Sequence, residues 1–161
     1  KYMTETNNFS FDDGFREYTI NNDPNRTLRV NTRDYNILQR VSKALNELDS
    51  KIDSLKEEDF KLADDASEIE AFDFASDGSE VLNKFSRSAI DEIFYPGACD
   101  IIFGNANPMS TVNGVTIFEG FLRSFAETIR PILEEEEKKR KKKQDFYKKK
   151  YDELRAKKSK S

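Results

Sequence analysis

At 161 residues the chain is long enough for one domain with a real core, and its 13 Phe and six Tyr supply the apolar surface that such a core needs. With no His and a single Cys, His-based triads, zinc fingers, Cys–His nucleophiles, CxxC redox pairs and intrachain disulfides are excluded, and any metal site would have to be all-oxygen. The formal charge of −4 hides a split, because residues 1–137 carry 14 basic and 28 acidic side chains whereas residues 138–161 carry 13 and 3.

Met3, after Lys1-Tyr2, reads as the natural start, and residues 1–13 as a mobile polar arm interrupted by Phe9 and Phe11. Phe15, Tyr18 and Ile20 then precede Asn21-Asn22-Asp23-Pro24-Asn25, with Thr27-Leu28-Arg29-Val30 beyond. Two β-capable runs around an Asn/Asp/Pro turn predict a hairpin. A lone hairpin is marginal in water, so its apolar side chains are expected to lie on the helix that follows. Asn31 and Thr32 are the N-cap candidates for that helix, over roughly residues 33–56. Its Leu38, Val41, Leu45, Leu48, Ile52 and Leu55 recur at spacings of 3, 4, 3, 4 and 3. Over so few heptads this stripe reads as a core face, not a coiled-coil seam.

Residues 57–80 hold ten acidic side chains and one Lys above a loose apolar periodicity (Phe60, Ile69, Phe72), which predicts a second, acidic helix. Residues 73–84 superficially fit a calcium loop, but Ala75 falls at position 3 and Lys84 at position 12, where the loop needs ligands. Asp77 with Glu80 has the spacing of a capping box and predicts a third helix carrying Leu82, Phe85, Ala89, Ile90, Ile93 and Phe94, stopped by Pro96-Gly97. A short apolar turn (99–104) and an Asn/Pro loop (105–114) follow. The next segment puts Phe118, Phe121, Leu122, Phe125, Ile129 and Ile132 on one helical face, with a kink expected at Pro131. Phe94 and Phe103 should pack together beneath the Pro96-Gly97 turn.

From Glu134 four Glu precede the basic run 138–143, so that four Glu-to-Lys/Arg i,i+4 pairs are in favourable order, each contributing ~0.2–0.5 kcal/mol. Phe146, Tyr147, Tyr151 and Leu154 form a stripe too small for a core yet suited to docking on a partner helix. The tail should be helical at first and fray toward Ser161. The expected fold is therefore mainly α: an arm (1–13), a small helical domain with an N-terminal β-hairpin (14–133) and a long charged helical tail (134–161).

Catalytic chemistry finds little support in these residues. Acidic pairs are abundant, Asp91-Glu92 being the nearest to an apolar context, but none has neighbours that would split two pKa values for acid and base roles. The stretch 97–104 lacks the GK[ST] of a phosphate loop, and no GxSxG or SxxK motif occurs. A non-enzymatic protein without metal or cofactor is expected. The basic tail, with Phe146, Tyr147 and Tyr151 for base stacking, offers nucleic-acid or adaptor binding as the alternative function, against which the acidic body would repel a phosphate backbone.

The stretch Ile90-Asp91-Glu92-Ile93-Phe94-Tyr95-Pro96-Gly97-Ala98-Cys99-Asp100-Ile101-Ile102-Phe103-Gly104 resembles the D-x-I/L-F-G-x-G-x-x-x-x-I-F-G signature of tail assembly chaperones of long-tailed, siphophage-like bacteriophages. Ile93, Phe94, Gly97, Phe103 and Gly104 stand at its structural positions, while Tyr95-Pro96 depart from the Gly that the family often has there. The Phe-rich segment that follows, and the opening from Tyr18 to Thr32, are similar to those of the same group of small phage proteins. The resemblance implies a mainly helical protein that coats the tape measure protein, keeps it soluble and promotes tail tube assembly in the host bacterial cytoplasm, and that is absent from the mature virion. The implied partners are the tape measure protein and, secondarily, the tail tube protein. No membrane partner is expected, because no run approaches the ~18 apolar residues of a span. Homo-oligomerisation and the client-binding face are not read from the sequence.

Overall fold

A computed structural model describes the backbone of residues 6–61 and 68–160, and the side chains of these except 56–77. Two strands, β1 (Phe15–Ile20) and β2 (Asp23–Asn31), form the expected antiparallel hairpin. Its turn is tighter than the Asn/Asp/Pro run suggests. Asn21 and Asn22, with φ of 50° and 60°, make a two-residue turn of the left-handed kind that suits the right-handed twist of paired strands. Thr19 then pairs with Thr27 but Ile20 with Asp23, so residues 24–26 bulge from β2 and Pro24 is accommodated without a ladder hydrogen bond. The base of the hairpin is locked where the N–H and Oγ1 of fully buried Thr32 both donate to the Gly14 carbonyl at 3.1 Å. Gly14 has φ +83°, a conformation that L side chains rarely adopt, and a Cβ there would lie 2.7 Å from Asn31 Oδ1, so a side chain at this position is strained.

That lock removes Asn31 and Thr32 as helix caps. Helix α1 (Asn36–Lys61) begins four residues beyond Thr32, with Asp34 Oδ1 accepting from the Asn36 N–H at 2.9 Å. Its buried row is Ile37, Val41, Ala44 and Leu48, flanked by half-buried Leu38, Leu45 and Ile52. Helix α2 (Glu68–Ile93) runs antiparallel to it: Lys43 reaches Glu92 (3.8 Å) and Lys51 lies over the Phe85 ring (5.2 Å). The backbone is helical without a break from Glu68 to Ile93, so the capping box at Asp77 and Glu80 does not open a separate helix. Gly78 lies inside α2, where a Cβ would make only ordinary contact with Leu55 (3.8 Å). The acidic helix expected over 57–80 is thus divided between the end of α1 and the first half of α2; residues 62–67 lie outside those described.

Short helix α3 (Ala98–Phe103) leads to a small hairpin, β3 (Thr111–Val112) and β4 (Val115–Thr116), around Asn113-Gly114, again with both φ values positive. The loop expected over 105–114 therefore ends in a paired turn. Thr116 Oγ1 accepts from the Glu119 N–H (3.1 Å) and starts α4 (Ile117–Ser159), 43 residues or about 65 Å long. The helix continues through Pro131; the carbonyl that proline cannot pair is that of exposed Glu127.

One core joins β2 (Leu28, Val30), α1, the end of α2 (Ala89, Ile90, Ile93), α3 (Ala98, Ile102, Phe103) and the first half of α4 (Phe118, Leu122, Phe125, Ile129, Leu133). The principal support of the hairpin is α3, not α1: Arg26 crosses from β2 to donate to the carbonyls of Ile101 (2.9 Å) and Ile102.

Candidate functional site

The 90–104 stretch builds a corner. Past the end of α2, Gly97 adopts φ +92°, and the Asp91 carboxylate turns back to accept the N–H groups of Cys99 (2.8 Å) and Gly97 (3.2 Å). Partial burial raises the Asp91 pKa, but these backbone donors outweigh it and hold the carboxyl below its ordinary value. The far end of α3 is closed by Arg87, which donates to the Gly104 (2.6 Å) and Ala106 (3.4 Å) carbonyls and pairs with Asp100 (3.0 Å). Glu92, the other member of the acidic pair, is exposed beside Lys43. Asp91 and Glu92 thus do separate structural jobs. Burial pushes the Cys99 thiol up to about 11, which makes it a poor nucleophile at neutral pH.

Of the signature residues, Ile93 and Phe103 are buried, Phe94 is half-buried, and Gly97 and Gly104 take positive φ. Phe94 and Phe103 do not stack on each other directly. Phe121 of α4 stands between them, with ring centroids 5.8 Å from Phe94 and 6.0 Å from Phe103, and Phe125 closes on Phe94 at 5.0 Å. A helix face supplied from twenty residues downstream has taken the space under the turn.

Beside this aromatic cluster an apolar groove of about 420 Å³ opens between the N-terminal hairpin and α4. Tyr18, Ile20 and Leu28 form one wall, Phe121, Phe125 and Ile129 the other, and Ile102 and Phe103 lie at its end. The polar lining is uncharged, from Thr19, Asn21, Ser124 and Thr128. Gly120, with open space where a Cβ would be, leaves one stretch of the α4 wall uncovered. This volume falls in the range of specific binding clefts, and a channel with an apolar lining and no charge selects apolar side chains. No sequence reading located it, since its walls come from segments about a hundred residues apart. The available signal was a second row on α4, Ile117, Phe121, Ser124 and Thr128, displaced from the fully buried row.

The tail residues lie elsewhere. Every residue of α4 from 138 to 159 is exposed, and the helix runs to Ser159; Ser161 lies outside the described residues. Phe146, Tyr147, Tyr151 and Leu154 are 59, 59, 63 and 62 % exposed. At about 100° per residue, Tyr147, Tyr151 and Leu154 share one narrow sector, the same sector that carries Phe118, Leu122, Ile129 and Leu133 in the core. Phe146 flanks it, edge-on to Tyr147 (5.8 Å) and beneath Lys150 (5.5 Å). That sector is covered along the body, passes through Glu136, Arg140 and Lys143, and is bare where it turns apolar again at Tyr147.

Among the described residues, none of the four expected i,i+4 pairs between Glu134–137 and the basic run is formed. Glu136 reaches Arg33 (3.4 Å), and Glu137 binds Arg140, one residue nearer than the expected Lys141, and the Tyr35 hydroxyl. The Arg140 hydrogen bond, with Tyr35 adding to it, holds the Glu137 carboxyl below its ordinary value. The segment around Arg33 and Tyr35 lies within reach of these carboxylates and competes for them. Among the described residues no three His, Cys, Asp or Glu side chains gather as a metal site would require, and no helix is long and apolar enough to cross a membrane. No protein-family model, curated protein or solved structure matches this chain.

Proposed function

We propose that this chain is a non-enzymatic tail assembly chaperone that holds apolar side chains of a helical client, the tape measure protein of a long-tailed phage, in the groove between its N-terminal hairpin and α4. The observation that carries the reading is the groove itself: apolar walls, an uncharged rim and a floor set by the 90–104 corner. A helix laid into such a groove buries alternate turns of its apolar face, while the charged exterior of the chaperone keeps the pair in solution. On this reading the protein acts in the host bacterial cytoplasm, hands its client to the tail tube protein and is absent from the finished virion.

Co-expression with the tape measure protein tests it. Ser124 and Thr128 line the groove yet are exposed, so S124R/T128R fills the channel without removing core atoms. The native chain should keep the tape measure protein in the soluble fraction and the doubly substituted chain should not; equal solubilisation by both would reject the groove as the client seat. A second reading, nucleic-acid binding through the tail, is favoured by the exposed, cationic helix from 138 to 159. Affinity for duplex or single-stranded DNA that falls steeply with salt would support it.

A further inference from the structure

We infer that Phe9 and Phe11 of one copy seat in the groove of a second copy, which returns its own arm, so that the chain without client is a closed dimer with both grooves filled. The inference rests on the chaperone reading only in taking the groove as an apolar seat, not in the identity of the client. Phe9 and Phe11 are 93 and 80 % exposed, at alternate positions of the uncharged stretch Thr6-Asn7-Asn8-Phe9-Ser10-Phe11. In an extended chain both rings point to one side. The groove matches them in kind, with apolar walls and uncharged polar groups in its lining. Its strand wall is also unfinished. Among the described residues β1 pairs with β2 alone, and Tyr18, Thr19, Ile20 and Asn21 all line the groove, so the free edge of β1 borders it as well as the inner face. An extended segment added at that edge pairs the open backbone groups while its alternate side chains enter the groove.

The segment comes from a second copy because register keeps the chain's own arm out. Asp12 accepts from the Gly14 N–H (3.0 Å) and from Arg16 (2.8 Å), while Asp13 accepts from the Phe15 N–H (3.0 Å) and pairs with Arg29 (3.5 Å), so the root of the arm is tied to the base of the hairpin. Were the arm to fold back along β1 by the shortest turn, residues 12 and 13, Phe11 would face Gly14 and Phe9 would face Arg16. Both fall short of the groove, whose β1 wall begins at Tyr18. The turn cannot move further along β1, because Gly14 and Phe15 are already held against Thr32 and Asn31. An arm from a second copy is free of this register, and a mutual exchange closes on itself as a two-fold pair. Four Phe rings, at ~150–250 Å² each and matched by the surfaces they cover, remove roughly 1,200–2,000 Å² from water, the size of a stable dimer interface.

Sedimentation of the full chain, without client and at about 0.1 and 1 M salt, tests this with two variants. F9A/F11A strips the arm at positions that are already exposed, and S124R/T128R fills the groove; an unchanged circular dichroism spectrum checks that each is folded. The native chain should be a dimer at both salt concentrations, because an apolar contact is not weakened by screening, and each variant should be a monomer. A monomeric native chain overturns the inference, an arm seated in its own groove included. A dimer that persists in either variant does the same, as does one that dissociates at 1 M salt, which would mark a contact between charged surfaces. Should S124R/T128R fail to fold, a dimer undiminished in F9A/F11A overturns the inference by itself. Co-expression separates this result from the chaperone reading. F9A/F11A, with its groove vacated, should keep the tape measure protein soluble at least as well as the native chain does, and poorer solubilisation would overturn the arm as a competitor for the groove. If neither chain solubilises that protein, the client is rejected while the sedimentation result stands.

Discussion

Replacing Phe103 by Ala examines the packing of the corner most directly. Phe103 is 8 % exposed, touches Phe121 edge-on at 6.0 Å and closes one end of the groove. Phe→Ala at a buried site costs ~3–5 kcal/mol, the spread reflecting how much cavity is left behind. Here one side of the new void opens into the existing groove, so water can enter it and the expected cost is at the low end, about 3 kcal/mol. For a chain of this size each kcal/mol lowers Tm by ~2–4 °C, which places the variant roughly 6–12 °C below the native protein. Phe118→Ala, at a position with no exposure, should lie at the upper end of the range. Phe146→Ala in the tail should change Tm hardly at all, since surface substitutions stay within about 0.5 kcal/mol. Thermal unfolding followed by circular dichroism, with urea titration to confirm an unchanged m-value, reads all three. A Phe103→Ala loss of less than about 3 °C, or one no larger than that of Phe146→Ala, would refute the claim that α3 is part of one cooperative core.

Asp91→Ala removes the carboxylate that accepts from Gly97 and Cys99 and should cost about 1 kcal/mol near neutral pH. Because the folded pKa of Asp91 lies below its ordinary value, this stabilisation is present above the unfolded pKa of ~3.9 and is lost as pH falls through the folded pKa; native and variant Tm should therefore converge on acidification, and parallel curves down to strong acid would contradict the cap. Cys99, buried and raised to about 11, should react with a thiol reagent at pH 8 far more slowly in the folded than in the denatured chain, and equal rates would show that the thiol is not enclosed. Its folded pKa lies above the unfolded one, so the thiol contributes stability present below pH ~8.5 and lost as pH rises toward about 11. Truncation after Leu133 should leave a cooperative transition, with a loss of at most ~1 kcal/mol from the half-exposed Arg33–Glu136 pair; truncation after Arg140 should lose nothing measurable, and a chain ending at Leu133 that does not fold would place the tail in the core.

The elements legible in the amino-acid order are those whose causes lie within four or five residues. Periodicity marked the buried face of α4 (Phe118, Leu122, Phe125, Ile129) and the exposed Tyr147, Tyr151 and Leu154, while Asn21-Asn22 and Pro96-Gly97 marked a turn and a helix stop through backbone preferences that need no distant partner. Signals of equal local quality failed where a remote group claimed the same atoms. Thr32 has a good capping side chain, but its hydroxyl goes to Gly14; Asp77 and Glu80 have capping-box spacing, but α2 continues through them alongside α1; Glu136 is four residues from Arg140, but Arg33 takes it. The groove is the extreme case, because Tyr18 and Phe121 become neighbours only once Arg26 has fastened the hairpin to the end of α3. Which polar group pairs with which, and which apolar surfaces are left uncovered, depends on contacts between segments up to a hundred residues apart, and those the tertiary structure alone decided.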